Sequence, residues 1–219
     1  MKVIEFNNVN FKYSNSAFNL QIENLILNTG EVTIIHGLNG SGKSTLMKLC
    51  IGILKPETGK ITVFDNDVSE CTLGTIGQYI GYLFQEPSKQ LFTTSVWDEI
   101  TFIPFLKGID TNTIQTKALS LLEKFNLSHL KTRSIYRLSR GEKQRLAIAC
   151  ILMNDIKYLI LDEPTTGLDK KNRYILYSVI EQLINDGIGV SIITHDNEMK
   201  KYFKDARFVK MENGRLSYD

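Results

Sequence analysis

No stretch of this sequence is apolar for long enough to cross a bilayer as a helix. The longest unbroken apolar run is Leu146 to Met153, far below the roughly 20 residues a spanning helix needs. The chain is therefore expected to be cytoplasmic, reaching the inner face of a membrane only through a partner. Met1 to Val9 has no basic segment leading into an apolar stretch, so no signal peptide is expected. Charge of one sign is also scarce: 26 basic against 24 acidic residues leave a net +2, and no nucleic-acid partner is expected from such a balance. Cysteine is rare. Cys50, Cys71 and Cys150 are odd in number and not spaced as metal ligands or a redox pair, which predicts free thiols in a reducing compartment. Repeats, low-complexity tracts and linkers are missing. What remains, 42% hydrophobic and 23% charged over 219 residues, suits one globular domain or a domain carrying an inserted subdomain.

Local patterning divides the chain in three. Val9, Phe11 and Tyr13 alternate with polar residues at the period of a half-buried strand. Val32 to His36 is a β-branched run entering a Gly-rich turn, and Lys43 to Leu54 then reads as a helix closed by Pro56 and Gly59. Ile61 to Phe64 and Ile80 to Phe84 are further strand candidates. From 88 to 155 the texture is helical: Ser95 to Phe102, stopped by Pro104; Thr113 to Phe125; and a long helix from Leu138 through Met153. Strand texture returns at Tyr158 to Leu161 and Gly189 to Thr194, with a helix between them over Lys170 to Asn185. Arg207 to Met211 and Arg215 to Tyr218 flank Asn213-Gly214, a strong hairpin signal. Residues 1–87 and 156–219 thus predict an α/β core with a mostly parallel sheet, and 88–155 an inserted helical subdomain.

Two motifs carry chemistry. Gly37-Leu38-Asn39-Gly40-Ser41-Gly42-Lys43-Ser44 fits the phosphate-loop spacing of Gly, four residues, Gly, Lys and Ser or Thr. Glycines let backbone N–H groups converge on phosphate oxygens, and the following helix adds the positive end of its dipole. Lys43 supplies a full charge and Ser44 a hydroxyl suited to Mg²⁺. A Gly-rich turn with a chance lysine is the alternative, but the preceding strand and following helix favour the loop. The second motif is the apolar strand Tyr158-Leu159-Ile160-Leu161 ending in Asp162-Glu163-Pro164. Acids at the carboxyl end of a parallel strand lie where such sheets bind ligands. Asp162 is expected in the Mg²⁺ shell and Glu163 beside the attacking water.

Leu138-Ser139-Arg140-Gly141-Glu142-Lys143-Gln144-Arg145 resembles the signature motif of ABC ATPases, usually Leu-Ser-Gly-Gly-Gln. The phosphate loop before it and the Asp-Glu strand after it stand in that family's order, and the resemblance covers nearly the whole chain. Gln85 resembles the Q-loop residue, Gly167-Leu168-Asp169 the D-loop, His195 the switch histidine, and Tyr13 the aromatic that stacks on adenine. The resemblance implies a P-loop NTPase fold with an N-terminal antiparallel β part, and ATP with Mg²⁺ as ligands. Asn39, Gly40, Ser41, Gly42, Lys43, Ser44 and Thr45 would hold the phosphates. Ser44, Gln85 and Asp162 would surround Mg²⁺. Glu163 would act on water, with His195, Gln85 and Lys43 around the γ-phosphate. Ser139, Gly141 and Glu142 would meet the ATP of a second ABC subunit, identical or not. Ser139 and Glu142 also form a capping-box pattern that opens a helix. Two departures stand out, Arg140 for Gly and Glu142 for Gln. A carboxylate beside a triphosphate is unfavourable, and Arg140 is expected to offset it and to tune the partner's site.

Phe84-Gln85-Glu86-Pro87 with Gln90-Leu91-Phe92, and Trp97-Asp98-Glu99 beyond, resemble the Q-loop region of energy-coupling factor importers of vitamins or cobalt and nickel ions. That region is expected to form a groove for helices of a separate transmembrane subunit, although Leu91 and Phe92 also suit internal packing. The chain is expected to lack the C-terminal extension of many such ATPases, so that its dimer would rest mainly on ATP-mediated contacts. A non-transport ABC ATPase powering a soluble assembly is the competing reading. Such proteins usually carry a long coiled-coil insertion, fused cassettes or basic extensions, and none is visible. Glu163 and His195 argue against a regulator without turnover.

Overall fold

The computed structural model describes residues 1–15 and 18–218. Strand β1 (Lys2–Lys12) buries Ile4 and Phe6, then Val9 and Phe11. The one-residue change of phase between these pairs is taken up at Asn8, whose φ is +49°, where the register shifts. β1 pairs antiparallel with β2 (Asn19–Asn28) and with β4 (Thr58–Val63), which carries the short β5 (Asn66–Asp67) on its outer edge. The strands β3 (Val32–His36), β6 (Ile80–Leu83), β7 (Tyr158–Asp162), β8 (Gly189–Ile193) and β9 (Arg207–Glu212) run parallel. β10 (Arg215–Tyr218) returns from β9 through Asn213 and Gly214, both at positive φ as this tight turn requires. Among the described residues these form one ten-stranded sheet in the order β5-β4-β1-β2-β10-β9-β3-β8-β7-β6.

The helices are α1 (Lys43–Cys50), α2 (Leu73–Ile76), α3 (Val96–Leu106), α4 (Thr111–Lys124), α5 (Arg140–Leu152), α6 (Lys170–Asn185) and α7 (Asn197–Tyr202). Strand periodicity sorts the core into two layers. Leu159, Leu161, Ile34, Val190 and Ile192 face α3 to α6, whereas Tyr158, Ile160, Ile35 and Ile193 face α1 and the antiparallel half. Both faces of the parallel strands are thereby covered, which is why β7 and β8 read as continuous apolar runs. The same period puts the carboxyl ends of β3, β7 and β8 side by side, with their loops opening on one edge.

Two helix ends differ from the sequence pattern by about a full turn. α1 stops at Cys50 instead of Leu54, because Gly52 takes φ +74° and its N–H closes on Leu49. α3 passes through Pro104 to Leu106. A proline near the end of a helix removes a single donor, and Lys107 and Ile109 close the end by bonding the Ile103 and Pro104 carbonyls. The strand β2 has no counterpart in the pattern analysis; its burial alternates only after Leu20, Ile22, Leu25 and Leu27 are paired with β1. Cys50, Cys71 and Cys150 are free thiols. Among the described residues no helix is long and apolar enough to cross a membrane.

Candidate functional site

The loop between β3 and α1 is shaped by glycines for reasons beyond ligand access. Gly42 sits at φ +111° at the head of α1, and a Cβ there would lie 2.6 Å from Cζ of Phe18. A Cβ on Gly37 would meet the Met211 carbonyl oxygen at 2.0 Å, so β9 can reach its place only against a glycine. No side chain caps α1, which leaves its first N–H groups turned to the loop's concavity, where an anion is favoured. Lys43 is nearly buried, and its Nζ donates to the Gly37 and Leu38 carbonyls at 2.8 Å each. Burial lowers its pKa, against the opposing pull of Glu163 and Asp162. The Ser41 hydroxyl is buried with no hydrogen-bond partner among the described residues.

Across the cavity, Asp162 ends β7 and Glu163 follows at φ +47°. That left-handed residue turns the chain, and its N–H donates to the Ile193 carbonyl at 2.9 Å. The Tyr82 hydroxyl, on neighbouring β6, donates to Asp162 Oδ2 at 3.0 Å. Burial raises the Asp162 pKa, opposed by this hydrogen bond and by Lys43 and Lys48. Burial likewise raises that of Glu163, opposed chiefly by His195. His195 follows β8 and sets Nε2 3.2 Å from Glu163 Oε1. The Gln90 side chain bonds both the Tyr82 carbonyl and the Phe84 N–H at 2.8 Å, bracing the turn that carries Gln85.

One open cavity of about 660 Å³ gathers these groups: Asn39, Gly40, Gly42, Lys43, Ser44 and Thr45 from the loop, and Gln85, Asp162, Glu163 and His195 from the strand ends. Tyr13 lines it as well, donating to or accepting from Thr45 Oγ1 at 3.1 Å. Three further lining residues, Phe18, Thr166 and Ile193, escaped the sequence analysis. Phe18 lies next to two residues outside the described set, and no motif marks it; Thr166 follows the Asp-Glu-Pro motif closely enough to have been found.

The family profile described as ABC transporter matches residues 20–166. The chain belongs to the ABC transporter family. It is an ATP-binding, ATP-hydrolysing subunit of that family. A protein of Pyrococcus horikoshii named as an ABC transporter ATP-binding protein is 35% identical over 216 residues, covering 99% of this chain and 82% of that protein. A Bacillus subtilis protein named for HMP/thiamine import is 34% identical over 99% of this chain and 39% of its own length. The structure of cbiO1 from Clostridium perfringens, part of the ABC transporter complex cbiONQ, superposes with a TM-score of 0.91 at 32% identity, covering 99% of this chain and 87% of that one.

The residues that resemble the signature motif do not line the cavity. Ser139 caps α5: its hydroxyl accepts from the Glu142 N–H at 3.3 Å while Glu142 Oε2 accepts from the Ser139 N–H at 2.7 Å. Gly141 packs so tightly on α6 that a Cβ would lie 2.9 Å from the Asn172 side chain. Arg140, expected to offset the Glu142 charge, makes no ion pair with it among the described residues. The Arg140 guanidinium turns instead to the Gln85 carbonyl at 3.4 Å and lies over Gly167, while the Glu142 carboxylate is occupied by the helix cap. Burial would raise the Glu142 pKa, but its hydrogen bonds to Ser139 and the positive charges of Arg133 and Arg145 hold it below the usual value. Leu91 is buried in the helical core, whereas Phe92 is 57% exposed. Packing therefore accounts for Leu91, whereas Phe92 stays at the surface with its ring edge-on to Phe102 at 5.1 Å between centroids.

Proposed function

We propose that this ABC ATPase closes as a dimer on two Mg-ATP, each held between the cavity of one protomer and the α5 N-terminus of the other, and so drives a separate transmembrane subunit of an importer. The observation that carries this reading is the convergence of Lys43, Ser44, Gln85, Asp162, Glu163 and His195 on one cavity. In this reading Lys43 exchanges the Gly37 and Leu38 carbonyls for phosphate oxygens, and Tyr13 with Phe18 walls the base. The hydroxyl of Ser44, the amide of Gln85 and the carboxylate of Asp162 suit Mg²⁺, a hard cation content with few protein ligands when phosphates supply the rest. Bound Mg²⁺ would neutralise charge on the phosphates. Glu163 accepts the proton of the attacking water, and His195 stabilises the γ-phosphate. Burial, which raises the Glu163 pKa, strengthens it as a base.

Ser139, Gly141 and Glu142 act on the partner's nucleotide, whether that partner is identical or a different cassette. Residues 88–155 act as a helical unit that transmits closure. Its exposed apolar side chains Phe92, Phe102, Ile103, Phe105 and Leu106 form the surface for the transmembrane subunit. The likeness to a protein named for HMP/thiamine import supports vitamins as the class of cargo, and the resemblance around Gln85 to energy-coupling factor importers adds cobalt and nickel ions as the alternative. The test is Glu163→Gln. It is expected to bind ATP and to dimerise on it, while turnover falls by about 10² to 10⁴. Undiminished phosphate release would remove Glu163 from the role of base.

A further inference from the structure

The segment from Glu163 to Asp169 joins the reacting carboxylate to the N-cap of α6, and its anchors are specific. Gln144 of α5 donates to the Pro164 carbonyl. Thr165, buried, helps to hold the pKa of Asp196, the residue that follows His195, below the usual value. The third anchor is Arg173. Its Nε donates to the Leu168 carbonyl at 3.1 Å, and its Nη1 stands 3.5 Å from Asp196 Oδ2. The Tyr177 hydroxyl donates to the same Oδ2 at 3.3 Å, while Oδ1 accepts the Glu198 N–H at 2.8 Å and the Met199 N–H at 3.3 Å, so that Asp196 also caps α7.

Helix stability does not explain an arginine here. α6 has no acid in its first turn, but it has Lys170, Lys171 and Arg173 at that end, where the helix dipole disfavours cations. The planar fork of the guanidinium does explain it, because only arginine presents two donors at fixed spacing to two different loops. The Asp196 side chain is 10% exposed, so this contact is little screened; the second carboxylate near Nη1, Glu198 at 3.6 Å, is 58% exposed and contributes little.

We infer that Arg173 is a positioning residue for hydrolysis: by gripping the Leu168 carbonyl with one edge of its guanidinium and Asp196 with the other, it holds His195 in reach of Glu163. Arg173 does not line the cavity. It acts through the loop that carries His195, and this inference rests on the role proposed above for that histidine. Small displacements of a reacting group cost much more in turnover than in binding.

The test uses the full chain in the complex that co-purifies with it from membranes, with ATP turnover, KM and thermal midpoint measured for each variant. Arg173→Gln is expected to lower kcat by about ten- to a hundredfold, with KM for ATP and the midpoint unchanged. Arg173→Lys restores the charge toward Asp196 without the second donor and is expected to recover part of that loss. Asp196→Asn keeps the α7 cap and loses the charge; it should lower kcat alike, and the double variant should be no worse than either single one. In a His195→Ala background, read by single turnover, Arg173→Gln should add nothing. Full kcat in Arg173→Gln, or losses that multiply with those of His195→Ala, would overturn the inference. If His195→Ala itself turns over normally, the reading of the site fails instead.

Discussion

Tyr82→Phe isolates a single hydrogen bond beneath the proposed metal site. The ring stays, with its edge contact to Phe84 at 5.3 Å between centroids, and only the hydroxyl that donates to Asp162 Oδ2 is lost. A hydrogen bond to a charged group contributes about 1.5 to 3 kcal/mol. Asp162 is only partly buried, so the lower end applies, about 1.5 kcal/mol. The Asp162 pKa already lies above 3.8 because of burial, and the variant moves it further up. The sign follows from linkage. A carboxyl with a raised folded pKa favours the native state most when protonated, and loses that contribution as pH rises through the folded value. The variant is therefore less stable than the parent at pH 7, and the gap closes as the pH falls below the folded value of the parent. Urea unfolding of the nucleotide-free chain at a series of pH values measures this directly. A deficit of the same size at every pH would mean that the hydroxyl supports packing and not the charge, and the argument for Asp162 would be refuted.

Gly42→Ala places a methyl 2.6 Å from the Phe18 ring at φ +111°. A fluorescent ATP analogue should lose most of its affinity while urea unfolding shows a folded chain. Glu142→Ala removes one half of the α5 cap. It is expected to destabilise the chain by about 1 kcal/mol, read in urea, and to leave nucleotide binding by the isolated chain unchanged.

The phosphate loop was legible because its spacing is set by the ligand and not by the rest of the fold. Glycines, lysine and serine must stand within one turn of each other to reach one polyphosphate. Asp162-Glu163 was legible only beside the phosphate loop, since by itself an apolar strand that ends in Asp-Glu-Pro suits a surface turn better. The capping box of α5 and the Asn213-Gly214 hairpin depend only on neighbours in sequence, and both appear in the structure. β2 was not legible, because its polar positions make sense only against β1. Phe18 was not legible either, since its value lies in proximity to Gly42. Local rules also failed at Pro104, where the end of α3 is closed by Lys107 and Ile109.

The sequence by itself determined the kind of chemistry: residue types at fixed short spacings, whose meaning survives without knowing where the rest of the chain goes. Only the tertiary structure decided how distant groups meet. It set Tyr82 against Asp162, His195 against Glu163, and Arg140 against the Gln85 carbonyl and away from Glu142. These contacts join residues that no spacing rule connects. They arise because parallel strands packed on both faces bring their carboxyl ends, and the loops that leave them, to one edge of the sheet.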